Sequence, residues 1–243
     1  MPTRRRIPGA LAALALLGGC ASSTTGRVDA TSSTTAGASR AVSDGLRMIE
    51  AAGDGRLTEV QQLLKKGAEV HAVNDEGRTA LIAAAYGGHL DVSRALVAAG
   101  ADVNVQDSTK QSAYLIATSE IGEAKGLELL ELTLGHGADV TTLDSYHGTG
   151  LIRAADRGFA DIVARLLQTP IDKDHVNRLG WTALLEAIIL GNGDTKHVEV
   201  VRRLVAAGVD VNRADGSGVT PLAHARDKGY QEMDDLLTAA GAR

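Results

Sequence analysis

The chain has 243 residues, with 25 Lys+Arg against 30 Asp+Glu and a formal net charge of −5. With no Lys/Arg cluster beyond the N-terminus, this balance argues against a nucleic-acid partner and against charge-driven docking on anionic lipid. The single cysteine excludes an internal disulfide.

Residues 1–19 read as a targeting segment rather than as part of the fold. Arg4, Arg5 and Arg6 form a positive n-region, and Ile7 to Leu17 form a short apolar run. That run is well below the roughly 20 residues a spanning helix needs, and it suits the h-region of a signal peptide. Leu17-Gly18-Gly19-Cys20 resembles the bacterial lipobox. The resemblance implies that Cys20 is acylated and becomes the mature N-terminus. Ala21 and Ser22 lack the Asp that marks inner-membrane retention, which implies an outer-membrane lipoprotein facing the periplasm. Thr3-Arg4-Arg5-Arg6-Ile7 partly resembles a twin-arginine signal, so the general secretory and twin-arginine routes both stay open. Removing residues 1–19 takes away three Arg and no acid, leaving 22 Lys+Arg against 30 Asp+Glu, or −8.

From Cys20 to Arg40 the chain is almost entirely Ser, Thr, Ala and Gly, too poor in apolar groups to offset the entropy of ordering. A flexible tether is expected over 20–40, reaching roughly 25 Å at 5–6 Å × √n.

Beyond it a unit recurs over 41–243. Aligning on Leu46, Thr79, Ser112, Thr149, Thr182 and Thr220 gives spacings of 33, 33, 37, 33 and 38. The six units are 41–73, 74–106, 107–143, 144–176, 177–214 and 215–243. In the second unit Thr79 can cap a first helix, and Ala83, Ala84 and Ala85 keep it thin for close stacking. Gly87-Gly88 breaks it, and Leu90, Leu96 and Val97 give a second helix an apolar stripe. Gly100 ends that helix as a left-handed cap. Five residues before the aligned position stands Asn74, Asp107, Asp144, Asn177 or Asp215, each suited to an Asx turn.

A 33-residue helix-turn-helix period with a T-x-L core resembles the ankyrin repeat. The resemblance implies an all-α solenoid of six units with hairpin-like connecting turns. The first and last units act as caps with one wet face. Unit three, with Ser112-Ala113-Tyr114, is the most degenerate and the expected weak point. Ser119 to Gly126 and Gly191 to Lys196 read as loop insertions in units three and five, lengthening the turn between the two helices. Pro170 replaces the helix-ending Gly of unit four.

Chemistry is harder to find. None of the seven His stands in a metal-ligand spacing, Gly191-Asn192-Gly193 lacks the strand and lysine of a phosphate loop, and no Ser occupies a nucleophile elbow. His89 takes the structural position between two helices. Arg153 and Glu186, at matching places on successive first helices, read as a cross-repeat ion pair. We therefore expect no catalytic residues, no metal and no cofactor.

The ankyrin resemblance implies binding at the turn tips and along the groove beside them. Most tips are bland, but Ser145-Tyr146-His147-Gly148 and Arg178-Leu179-Gly180-Trp181 are not. Tyr146, His147, Arg178, Leu179 and Trp181 are thus the candidate partner-binding residues, since Trp, Tyr and Arg anchor interfaces. Trp181 as a structural lid is the alternative reading, and the insertions at 119–126 and 191–196 are the alternative site. The expectation is a monomer that binds a protein partner stoichiometrically. Relatives suggest protection or support of an envelope enzyme, as for ankyrin proteins linked with periplasmic catalase. Immunity against a periplasm-delivered effector is the alternative, and a hydrolase built on the stack is a distant third.

The anchor is directly testable. Cys20→Ala should abolish incorporation of a palmitate analogue during growth, and label on that variant would overturn the lipoprotein reading.

Overall fold

The computed structural model describes residues 30–243, with side-chain surroundings from Arg40 onward. The signal segment 1–19, Cys20 and residues 21–29 lie outside the described residues.

Twelve helices and no strand are found among the described residues, arranged in pairs. The pairs are α1 (Ala30–Gly53) with α2 (Leu57–Lys65), α3 (Ala80–Tyr86) with α4 (Leu90–Ala98), and α5 (Ala113–Ser119) with α6 (Glu123–Leu134). They continue with α7 (Gly150–Asp156) and α8 (Ala160–Leu166), α9 (Ala183–Ile189) and α10 (Thr195–Ala206), and α11 (Pro221–Asp227) and α12 (Gln231–Ala239). Odd-numbered helices pack on odd ones and even on even, so two helical layers run the length of a solenoid. A polar turn projects between consecutive pairs; these turns are the fingers of the stack.

The first helix corrects one expectation. It begins at Ala30, so the segment 30–40 expected as tether is helical. Extending an existing helix needs no new nucleus, and Ala30, Ala36 and Ala38 favour it while no Pro opposes it.

The aligned Thr or Ser of units two to six caps its helix as expected. In each, the hydroxyl accepts the backbone N–H three residues on, at 3.2–3.4 Å. Carbonyls left free at the far end of the first helices are met by the next unit. His89 Nε2 donates to the Gly53 carbonyl (3.0 Å), His197 Nε2 to Asp156 (3.0 Å) and the Tyr230 hydroxyl to Gly191 (3.0 Å). Each therefore satisfies an open acceptor at or just beyond a helix end and fastens two units together. The exits of the second helices are joined likewise: Asn104 accepts the Asp139 N–H (2.8 Å) and donates to the Gly137 carbonyl (3.0 Å).

The insertions are only partly loop. Helices α6 and α10 have 12 residues where α4 has 9, so both insertions are largely absorbed as added helix. Only unit five also has a longer turn, 190–194. Three residues of 3.6-residue-per-turn helix add close to one turn and keep the apolar stripe facing the core. Leu129 and Leu130 of α6 and Val200, Val201 and Leu204 of α10 are fully buried.

Unit three is not a gap in the stack either. Every residue of α5 is buried, and Tyr114 is 1% exposed. Its ring occupies space left by Gly150, the first residue of α7. A Cβ on Gly150 would stand 2.8 Å from Tyr114 Cζ and 3.0 Å from Thr118 Cγ2, and closer still to the Tyr114 hydroxyl. The equivalent residues of units two, three, five and six are Ala80, Ala113, Ala183 and Pro221. The large residue on one side is thus matched by the smallest on the other.

Gly→Ala in an open helix gains about 0.5–1 kcal/mol, whereas overpacking a filled core costs about 1–3 kcal/mol. Overpacking wins at this site. Gly150→Ala should lower the thermal midpoint by a few degrees, and Tyr114→Phe should recover part of the loss in the double variant. An unchanged midpoint in differential scanning calorimetry would show that the interface yields without cost.

Candidate functional site

The site is built from two repeating positions: the Asx residue at the base of each finger, and the fourth residue after the capping Thr on the first helix. In unit four Asp144 Oδ1 accepts the backbone N–H of Tyr146 (2.8 Å) and Gly148 (2.7 Å), fixing the finger, while Oδ2 accepts Arg153 Nη1 (2.9 Å). In unit five Asn177 Oδ1 accepts the N–H of Leu179 (2.9 Å) and Trp181 (3.1 Å), and its Nδ2 donates to Glu186 Oε1 (2.6 Å). In unit six Asp215 accepts the N–H of Ser217 (2.8 Å) and Val219 (3.0 Å), and His224 Nε2 donates to its other oxygen (2.8 Å).

The pairing is matched in sign. Where the helix carries a donor, Arg153 or His224, the finger carries Asp; where the helix carries Glu186, the finger carries Asn. A second carboxylate at residue 177 would leave two like charges in contact.

Arg153 and Glu186 are therefore not an ion pair with each other, as their matching places suggested. Each is taken by the finger of its own unit, nine residues earlier. Arg153 also reaches back, with Nη2 donating to Gln111 Oε1 (3.0 Å), to Glu120 Oε1 (3.0 Å) and to the Ser119 hydroxyl. It thereby welds units three and four.

Between these elements lies a cleft of about 290 Å³. Glu120, Asp144, Arg153, Asp156, Arg157, Asn177 and Glu186 line its floor and walls, and Tyr146, Leu179 and Leu190 stand at its apolar rim. These three are the most exposed large apolar residues of the stack beyond its N-terminal units, at 64%, 52% and 52%. Tyr146 and Leu179, both singled out from the sequence, thus fall at one site. Leu190 escapes a reading of the sequence because an apolar residue at a helix end reads as core.

The other candidates separate from the cleft. His147 and Arg178 are exposed beside it on a second concavity with Gln106 and Lys110. His147 takes a left-handed conformation (φ 59) where three other fingers place Gly, a region His tolerates better than most side chains. Arg178 Nη2 donates to His147 Nε2 (2.9 Å), and His175 Nε2 donates to the His147 carbonyl (2.8 Å). Trp181 is half-buried and does not line the cleft, so it is not the exposed tip residue expected.

The electrostatics single out Glu186. It is 5% exposed, and burial, assisted by the nearby Asp156, pushes its pKa up to about 7 against the opposing hydrogen bond from Asn177. A raised carboxyl in a cleft is what a hydrolase would need, but Asp144 is held by Arg153 and two backbone N–H groups, Glu120 is paired with Arg153 (3.0 Å) and Asp156 lies beside Arg157 (3.8 Å). The polar floor serves recognition better than acid–base chemistry.

A family model for ankyrin repeats matches in three copies, over residues 48–144, 115–215 and 151–243. The chain belongs to the ankyrin repeat family. This ankyrin chain is 35% identical over 193 residues to YahD, an ankyrin repeat protein of Escherichia coli (strain K12), covering 79% of this chain and 94% of YahD. Among solved structures it resembles an ankyrin repeat domain of Acinetobacter baumannii AYE, with a TM-score of 0.76 and 41% identity over 81% of this chain and 98% of that one. The solved ankyrin repeat protein EF0377 gives a TM-score of 0.74 and 34% identity, covering 79% of this chain and 96% of that one. Ankyrin repeats are a protein–protein interaction module, typically without catalytic function.

The Glu186 shift carries a stability signature. Its folded pKa, about 7, lies above the ordinary 4.5, so its contribution is fully present below about pH 4.5 and is lost as pH rises through 7. Glu186→Gln keeps an acceptor for Asn177 and removes the charge. It should match the wild type near pH 4.5 and exceed it at pH 8 by on the order of 2 kcal/mol in urea unfolding. Parallel pH profiles would show that Glu186 is not raised.

Proposed function

We propose that this ankyrin protein is an outer-membrane lipoprotein facing the periplasm, and that it protects or supports an envelope protein by binding it stoichiometrically. The lipobox-like Leu17–Cys20 supports the anchor, and the family supports protein binding as the activity. One observation carries the site: three exposed apolar side chains, Tyr146, Leu179 and Leu190, border a single polar cleft on the finger side of units four and five.

An apolar rim around a polar floor is what a specific interface needs. The rim supplies area whose burial stabilises by about 25 cal/mol per Å², and the floor penalises partners that leave its polar groups unpaired. Units three to five hold the cleft rigid, because Arg153 ties two of them and the Asx pairs fix the fingers. Little ordering is then needed on binding.

The test is recovery of a partner by in-cell cross-linking and affinity capture of the tagged full-length protein, followed by affinity measurement with the purified partner. Tyr146→Ala and Leu179→Ala should each weaken that complex about thirtyfold, the effect of truncating an interface anchor worth about 2 kcal/mol. Both should leave the thermal midpoint nearly unchanged, as exposed substitutions cost about 0.5 kcal/mol or less. Full affinity in both variants would move the binding surface elsewhere on the stack.

A further inference from the structure

We propose that the cleft receives one basic side chain of the bound protein, a lysine or arginine, with the Glu186 carboxylate as its acceptor and Tyr146, Leu179 and Leu190 packing on the residues that flank it. This rests on the protein-binding reading above and specifies the chemistry of the partner.

The first argument is an unfilled acceptor. Glu186 is almost wholly buried, yet it lines the cleft. Asn177 holds one of its oxygens (2.6 Å), and no described residue donates to the other. That oxygen is not sealed in the core but open to the cleft, so a cation entering there would reach it and meet it with a charge-assisted bond.

The second argument is the charge inventory around it. From α7 come Arg153, Asp156 and Arg157; from the start of the α5–α6 turn, Glu120; from the finger of unit four, Asp144. Arg153 gives its two Nη groups to Asp144 (2.9 Å) and Glu120 (3.0 Å), leaving only its buried Nε without a partner, and Arg157 lies 3.8 Å from Asp156. From α11, His224 is committed to Asp215 (2.8 Å). Arg153, Arg157 and His224 thus each have a carboxylate, Arg178 on the neighbouring finger is turned to His147 (2.9 Å), and none of these cations is placed on Glu186.

The third argument is shape. At about 290 Å³ the cleft falls just below the usual 300–1,000 Å³ of small-molecule pockets, and it suits a single long side chain. Lys and Arg bury an aliphatic stem along apolar surface and project a charged head, as this rim and floor require. A calcium ion would ask for six to eight oxygen ligands, and among the described residues no group of three His, Cys, Asp or Glu is placed to hold a metal.

Such a contact is linked to protons. The cation favours the ionised carboxylate, so binding strengthens as pH rises through the pKa of Glu186, about 7, and levels off above it.

The probe is a phage-displayed library of random peptides, selected on the full-length protein in detergent micelles. Wild type should enrich His-free peptides with one Arg or Lys beside an aliphatic or aromatic residue. Their affinity should rise about tenfold from pH 6 to pH 8, the ratio given by a group with pKa 7. Glu186→Gln should lose both the basic preference and the pH dependence while remaining folded. Peptides without a basic residue that still require Tyr146 and Leu179 would overturn the cation inference and leave the binding reading standing. Peptides indifferent to Tyr146, Leu179 and Glu186 alike would overturn both. If nothing is enriched, the Glu186 carboxyl carbon is titrated by NMR with N-acetylarginine amide: a downward shift of its pKa supports the proposal, and an unchanged curve refutes it.

Discussion

Each helical pair in this protein has apolar faces on both sides and no interior of its own, and everything else follows from that constraint. A pair becomes a folded unit only when a neighbour covers it. The side chains that matter most are therefore those that cross from one unit to the next. Some are apolar, such as Tyr114, and some are polar, such as His89, His197 and Tyr230, which satisfy carbonyls that their neighbours leave open. The same crossing contacts set the stiffness of the finger side, and with it the precision of any surface built there.

Within that frame the fingers convert local turn chemistry into a patterned surface. The Asx residue shapes the turn with one atom and reads the first helix with the other. The identity of the helix residue thus dictates Asp or Asn at the finger base, and Glu186 with Asn177 is the one pair of reversed polarity among units four to six. This reversal leaves a carboxyl with one oxygen held by the protein and the other open to the cleft, beneath an apolar rim. The cleft is set apart by this local exchange of partners and by the longer turn 190–194, which places Leu190 at its rim.

Most of the architecture was legible in the sequence because it rests on short-range signals. The Thr caps, the Gly breaks and the Asx turns all act within a few residues, and their recurrence near every 33 exposes the period. Legibility failed where one residue could serve two structures. Glu123-Ala124-Lys125 reads as loop by its place in an insertion, yet it consists of helix formers and extends α6. Arg153 and Glu186 invite comparison between units, whereas their partners lie nine residues earlier within their own. Tyr114 looks like decay of a motif, because the compensating Gly150 sits in the next unit and reads as an ordinary small residue. Leu190 carries no signal, and the sequence does not distinguish the half-buried Trp181 from an exposed tip.

The Tyr114–Gly150 contact has a consequence for how such an array can change over time. Most boundaries in this stack join residues of similar size, so one repeat could replace another with modest adjustment. The boundary between units three and four cannot be treated this way, because a ring on one side is accommodated only by a missing methyl on the other. Loss or duplication of either repeat would set the ring against an ordinary Ala, or the missing methyl against an ordinary Leu. The order of the repeats is locked at this point, immediately beside the cleft, because the two units that frame its near wall are shaped to each other.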